Sequence, residues 1–127
     1  MLIRTEALPD YVIVDPLRLL PRFWSTVWSL GLQAQAQSEN TRKLRLRHID
    51  AFYRFCDQRF GLDSFDEAIS ERNAARIQDM VEAFYLDLTS DPQYNTTVVQ
   101  RWNAVRGFVQ VLARRLAPSN SDWSPLS

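Results

Sequence analysis

Six apolar residues near the end of the chain, Val98, Trp102, Val105, Val109, Leu112 and Leu116, follow one another at alternating steps of four and three. That spacing draws one stripe along an α-helix and fits no strand, so residues from about 95 to 117 form a rod that must lay one side on other helices. Asn95 or Thr96 supplies a cap at its start, and Ala117-Pro118 stops it. With 127 residues, the chain has room for one core and one domain.

The same periodicity appears upstream. Ser38-Glu39-Asn40-Thr41 offers capping oxygens, and a helix is expected from there to Phe60, ended by Gly61. Its inward stripe is Leu46, Ile49, Phe52, Tyr53, Cys56 and Phe60; Leu44, His48, Ala51 and Phe55 form a second, half-apolar stripe for another neighbour. A shorter first helix runs from Pro21 through Trp28 toward Gly31. A connector turn at Ser64 to Ile69 leads into a third helix from Ser70 or Glu71, with Ile77, Met80, Val81, Phe84 and Leu88 inward and Asp91-Pro92 as its end. The expected architecture is all-α: a compact bundle of four main helices over residues 21–117, preceded by an irregular arm over 1–20 and followed by a linker or tail over 118–127.

Charge is balanced overall, fifteen basic against fifteen acidic residues, but unevenly distributed. Residues 41–60 carry a net +4 and 93–117 a net +4, whereas 61–92 carry −6. The two basic segments are the second and fourth expected helices. Fourteen of the fifteen cations are Arg, whose planar fork suits phosphate oxygens. On the second helix Lys43, Arg47 and Arg54 lie between the apolar stripes, with Asp50 and Asp57 placed to neutralise part of that charge along the helix. On the fourth, Asn103, Gln110 and Arg114 lie opposite the seam, Arg101 and Arg106 lie on its flanks, and Gly107 leaves a gap where a nucleic-acid backbone or a partner can approach closely.

Catalytic and metal chemistry find little to work with. One His, one Cys, no glycine-rich phosphate loop and no serine elbow leave no nucleophile–base–orienter set. His48 reads as a packing histidine, Cys56 as a buried structural thiol, and Asp63, Asp66 and Glu67 as solvated or cap-forming acids. No cofactor and no metal are expected. The absence of a long apolar run and of a basic-then-apolar start points to a cytoplasmic chain without membrane contact.

Two stretches resemble a known family, the N-terminal core-binding, or SAM-like, domain of tyrosine recombinases and phage-type integrases. Asn40-Thr41 followed by Ile49, Phe52 and Phe55 is similar to that family's Thr at a helix start, an apolar residue eight positions on and then an aromatic pair. Arg101 to Leu112, RWNAVRGFVQVL, resembles the last helix of the domain. The chain departs from the pattern at Arg45, where Tyr is frequent, at Gly107 and in its long N-terminal arm. The resemblance covers residues 21–117. It implies a domain that grips duplex DNA with its second and fourth helices, through Lys43, Arg47, Arg54, Arg101, Asn103, Arg106, Gln110 and Arg114. It also implies a catalytic domain of the same protein for DNA strand exchange, beyond residue 127, and self-association on DNA. Nothing in this chain matches the family's catalytic set. The alternative reading is a helical protein-interaction module without DNA binding, whose exposed apolar arm, Tyr11 to Val14 and Leu17 to Leu20, packs on another protein.

Overall fold

The computed structural model describes residues 1–4, 11–29, 38–90 and 95–116, the side chains of Glu39, Arg115 and Leu116 excepted. Within them the order is β1 (Leu2–Arg4), β2 (Tyr11–Ile13), α1 (Phe23–Val27), α2 (Glu39–Phe60), α3 (Ser64–Ser70), α4 (Ala74–Thr89) and α5 (Thr96–Leu116). The all-α bundle is observed, with one two-stranded antiparallel sheet added. The expected second, third and fourth helices are α2, α4 and α5. The helix stops at Gly31, Asp91-Pro92 and Ala117-Pro118, and the tail 118–127, lie outside the described residues.

Local chemistry sets the helix ends. Ser38 Oγ accepts a hydrogen bond from the Thr41 N–H at 3.2 Å and opens α2; Gly61 closes it at φ 115°, a conformation a side chain would strain. Asn95 Oδ1 accepts from the Val98 N–H at 3.2 Å at the head of α5. The third expected helix starts later than its composition suggests. Arg72 turns left-handed at φ 54° and separates α3 from α4, which opens on Asn73 Oδ1 accepting from the Arg76 N–H at 3.1 Å. Pro21 likewise does not begin α1. It pairs in a bridge with Val14, and the helix starts at Phe23.

The core joins Leu46, Ile49, Phe52, Tyr53 and Cys56 of α2 to Phe65 and Ile69 of α3, Ile77, Met80 and Phe84 of α4, and Val105, Phe108, Val109 and Leu112 of α5. Aromatic pairs tie the four elements together, Phe52–Phe65 at 5.0 Å, Phe52–Phe84 at 5.1 Å and Phe65–Phe108 at 5.7 Å, and Trp28, just after α1, meets Phe108 edge-on at 5.5 Å. The connector α3 is thus a core element. Trp102 is not: it is half-buried at the edge of the seam, its ring 4.9 Å from exposed Tyr85.

The described residues of the N-terminal arm, 1–4 and 11–20, join the fold. Leu2 pairs with Ile13, Ile3 with Val12 and Arg4 with Tyr11, and Val12, Ile13 and Val14 are buried. The expectation of an exposed apolar arm therefore fails for Val12 to Val14, because a short β-branched run can be buried once a second strand satisfies its backbone. It holds for Leu17, Leu19 and Leu20, which stand 82%, 61% and 55% exposed.

Candidate nucleic-acid interface

Helix α2 packs along α5, and this pairing decides where the candidate residues fall. Arg101 turns toward α2 and donates from Nε to His48 Nδ1 at 3.3 Å. A ring nitrogen that accepts is unprotonated, so in this contact the His48 proton sits on Nε2. Burial, reinforced by the Arg101 charge, holds the His48 pKa below its ordinary value and keeps the ring neutral.

On one side of this contact lies a shallow hollow of about 430 Å³ whose wall includes Arg47, Asp50 and Arg54 of α2, Asp87 of α4 and Arg101 of α5. Three of the expected DNA-contacting arginines are brought together here from two helices. They share the hollow with two carboxylates. Asp50 is already engaged, by the Met1 ammonium at 2.6 Å and by Arg54 at 3.3 Å, the latter an i,i+4 pair of the kind expected along this helix. Arg47 is exposed and forms no ion pair among the described residues.

On the other side α2 and α5 enclose a groove of about 550 Å³. Thr41, Leu44, Arg45 and His48 form one wall, Gln100, Asn103, Ala104, Gly107 and Val111 the other, with Trp28 and Phe108 also reaching it. Of the expected contact residues only Asn103 lies here. Arg106 and Arg114 are exposed and Gln110 half-buried, and Arg106 and Arg114 form no ion pair among the described residues. The eight candidates therefore do not form one continuous face. At 100° per residue, Arg101 and Arg106 point to different sides of α5, and Arg101 is the inward one. Lys43 is also drawn away, its ammonium 4.8 Å from the centre of the Tyr11 ring.

Arg45, His48, Thr41 and Gln100 were missed as groove residues. Their signal is legible in retrospect: 41, 44, 45 and 48 on α2, and 100, 103, 104, 107 and 111 on α5, are single strips at three- and four-residue spacing. Only the pairing of the helices shows that the strips face each other.

The acids expected to be solvated or cap-forming divide: Asp63 stands at the N-cap of α3 without a side-chain cap bond, Asp66 accepts at the start of α1, and Glu67 is exposed. Asp66 accepts from the Tyr53 hydroxyl at 2.5 Å and the Phe23 N–H at 2.9 Å, and burial lifts its carboxyl to about 6. Asp63 and Asp57 receive Arg22, whose side chain is 1% exposed, at 3.0 and 2.6 Å. Asp63 also pairs with Arg18. Glu67 is exposed and lies 3.4 Å from Arg76. Cys56 is a buried free thiol, with burial pushing its pKa well up, which leaves it a poor nucleophile. Among the described residues no group of His, Cys, Asp and Glu could hold a metal ion, and no helix is long and apolar enough to cross a membrane. No protein-family model, curated protein or solved structure matches the chain.

Proposed function

We propose that this chain is a duplex-DNA-gripping domain of the core-binding type found in site-specific tyrosine recombinases, contacting the phosphate backbone through α2 and α5. In this reading it positions a separate catalytic domain of the same protein for strand exchange. The observation that carries the reading is the shared hollow of Arg47, Arg54 and Arg101, cations from two helices far apart in sequence. Arg106 and Arg114, exposed and with no ion pair among the described residues, lie on other sides of α5 than Arg101 and offer further cations apart from that hollow. Lys and Arg neutralise phosphates and release condensed counterions, so such a surface binds DNA with strong salt dependence and little base preference.

The test is titration of a labelled duplex at several salt concentrations. Affinity should fall steeply with salt, and Arg47→Ala or Arg106→Ala should each reduce the salt slope by about 1. Binding that ignores salt, or survives both substitutions unchanged, refutes the reading.

A second reading is favoured by the turn after β2. Leu17, Leu19, Leu20 and Phe23 are all more than half exposed, and the turn is pinned by Asp15, which accepts from the Leu17 N–H at 2.8 Å and pairs with Arg18 at 2.6 Å. A fixed turn that presents apolar side chains suits contact with another protein. Serine substitution at Leu17 and Leu20 that leaves DNA binding intact but abolishes self-association in sedimentation would establish it.

A further inference from the structure

Gly107 lies in the interior of the 21-residue helix α5, where glycine costs stability relative to alanine. Internal packing does not require it: a Cβ built there meets no atom within 4 Å. The missing side chain instead lowers one wall of the groove between α2 and α5. Among the described residues no acidic one lines that groove. Arg45 contributes a cation, Asn103 an amide, and His48, with Nδ1 occupied by Arg101, has Nε2–H left to donate. Leu44, 55% exposed, and Val111 add apolar surface. Cationic and amide donors beside small apolar surface, with no carboxylate among the described lining residues, complement a chain that alternates phosphate with deoxyribose.

We propose that the α2–α5 groove seats one sugar–phosphate strand of the bound duplex, with Gly107 at the point of closest approach and Arg45, Asn103 and His48 as phosphate donors. This rests on the duplex-binding reading above but places the strand on residues that reading does not use, Asn103 excepted. It also distinguishes Arg101, which orients His48 from behind, from the groove residues that touch the strand.

The test uses the full chain and a short fluorescein-labelled duplex at low salt, with Gly107→Ala, Gly107→Leu, Arg45→Ala and Arg47→Ala, each also followed by thermal melting. Gly107→Ala should melt no lower than the parent, because its Cβ enters open space and alanine favours helix. It should nevertheless bind roughly tenfold more weakly, and Gly107→Leu more weakly still, while Arg45→Ala should reduce the salt slope by about 1. If both Gly107 variants bind like the parent while Arg47→Ala weakens binding, the groove assignment is wrong and the duplex reading stands. If the parent chain itself shows no salt-dependent binding, both fall together.

Discussion

Arg22 and Arg47 are the same residue type in two environments. Arg22 lies under the turn that leads into α1, clamped on Asp57 through two hydrogen bonds of 2.6 and 3.3 Å and on Asp63 at 3.0 Å, with its guanidinium 5.0 Å from the centre of the Tyr53 ring. Arg47 stands in the open on α2, at the edge of a hollow it shares with Arg54 and Arg101. The first is a joint of the fold: it ties the N-terminal segment to the C-terminal end of α2 and the start of α3. The second has its donors turned to solvent. Positive charge in a sequence therefore says nothing about role until burial and partners are known; a buried cation removed leaves stranded carboxylates, an exposed one leaves only water.

Loss of Arg22 should weaken the fold most. Arg22→Ala leaves Asp57 and Asp63 without their common cation and should cost about 3–5 kcal/mol in urea unfolding, the usual loss on breaking a buried pair. A variant as stable as the parent would show that the joint carries no stability. Phe108→Ala should cost a similar amount, about 3–5 kcal/mol, since the ring is fully buried against Trp28, whereas Trp102→Ala should cost clearly less because its ring is half-buried.

Beside the joint, Asp66 makes stability depend on pH. Its carboxyl titrates near 6 in the fold against 3.8 in an unfolded chain, so the folded state holds the proton more tightly. Stability from this group is fully present below about pH 4 and is lost as pH rises toward 6, at most about 3 kcal/mol at 1.36 kcal/mol per pKa unit. Asp66→Asn should flatten stability over that window, as read by melting temperature against pH. An unchanged pH profile in the variant would remove Asp66 from the account.

Two smaller effects complete the series. Leu19 sits at φ 58° with its side chain mostly in solvent, so Leu19→Gly should relieve backbone strain and raise stability by about 0.5–1 kcal/mol. A loss of stability there would mean that Leu19 contributes packing its exposure conceals. Arg47→Ala and Arg106→Ala should move the melting point least of all, within about 0.5 kcal/mol. A marked loss in either would make it a structural cation like Arg22.

Much of the bundle is legible in the chain itself. The Ser38 cap and Gly61 stop of α2, its inward stripe and the middle of the α5 seam, Val105, Val109 and Leu112, are local patterns that appear where the spacing puts them, whereas Val98 and Trp102 of the seam are only half-buried and Phe108, outside it, is fully buried. What escaped is non-local. Strands β1 and β2 are three residues each, too short to announce themselves, and are held by pairing with each other and by burial of Ile13 against the helices. Asp57 reads as an i,i+3 or i,i+4 partner within α2, yet it pairs with Arg22 from a distant segment. Arg101 reads as a flank residue of α5, yet it turns to His48.

Spacing and capping residues alone specify α2 and α5, the N-terminal cap of each and most of the sides they bury, because periodicity and capping act within a few residues of each other; they do not place the starts of α1 and α4. The sequence also determined that α2 and α5 are basic. Which cations are taken up by intramolecular ion pairs, buried Arg22 and exposed Arg18, and which strips of α2 and α5 face each other across a groove, follow from the packing of distant segments. Those outcomes depend on the direction in which a side chain leaves its helix and on what the chain brings opposite it, and neither is encoded in any local run of residues.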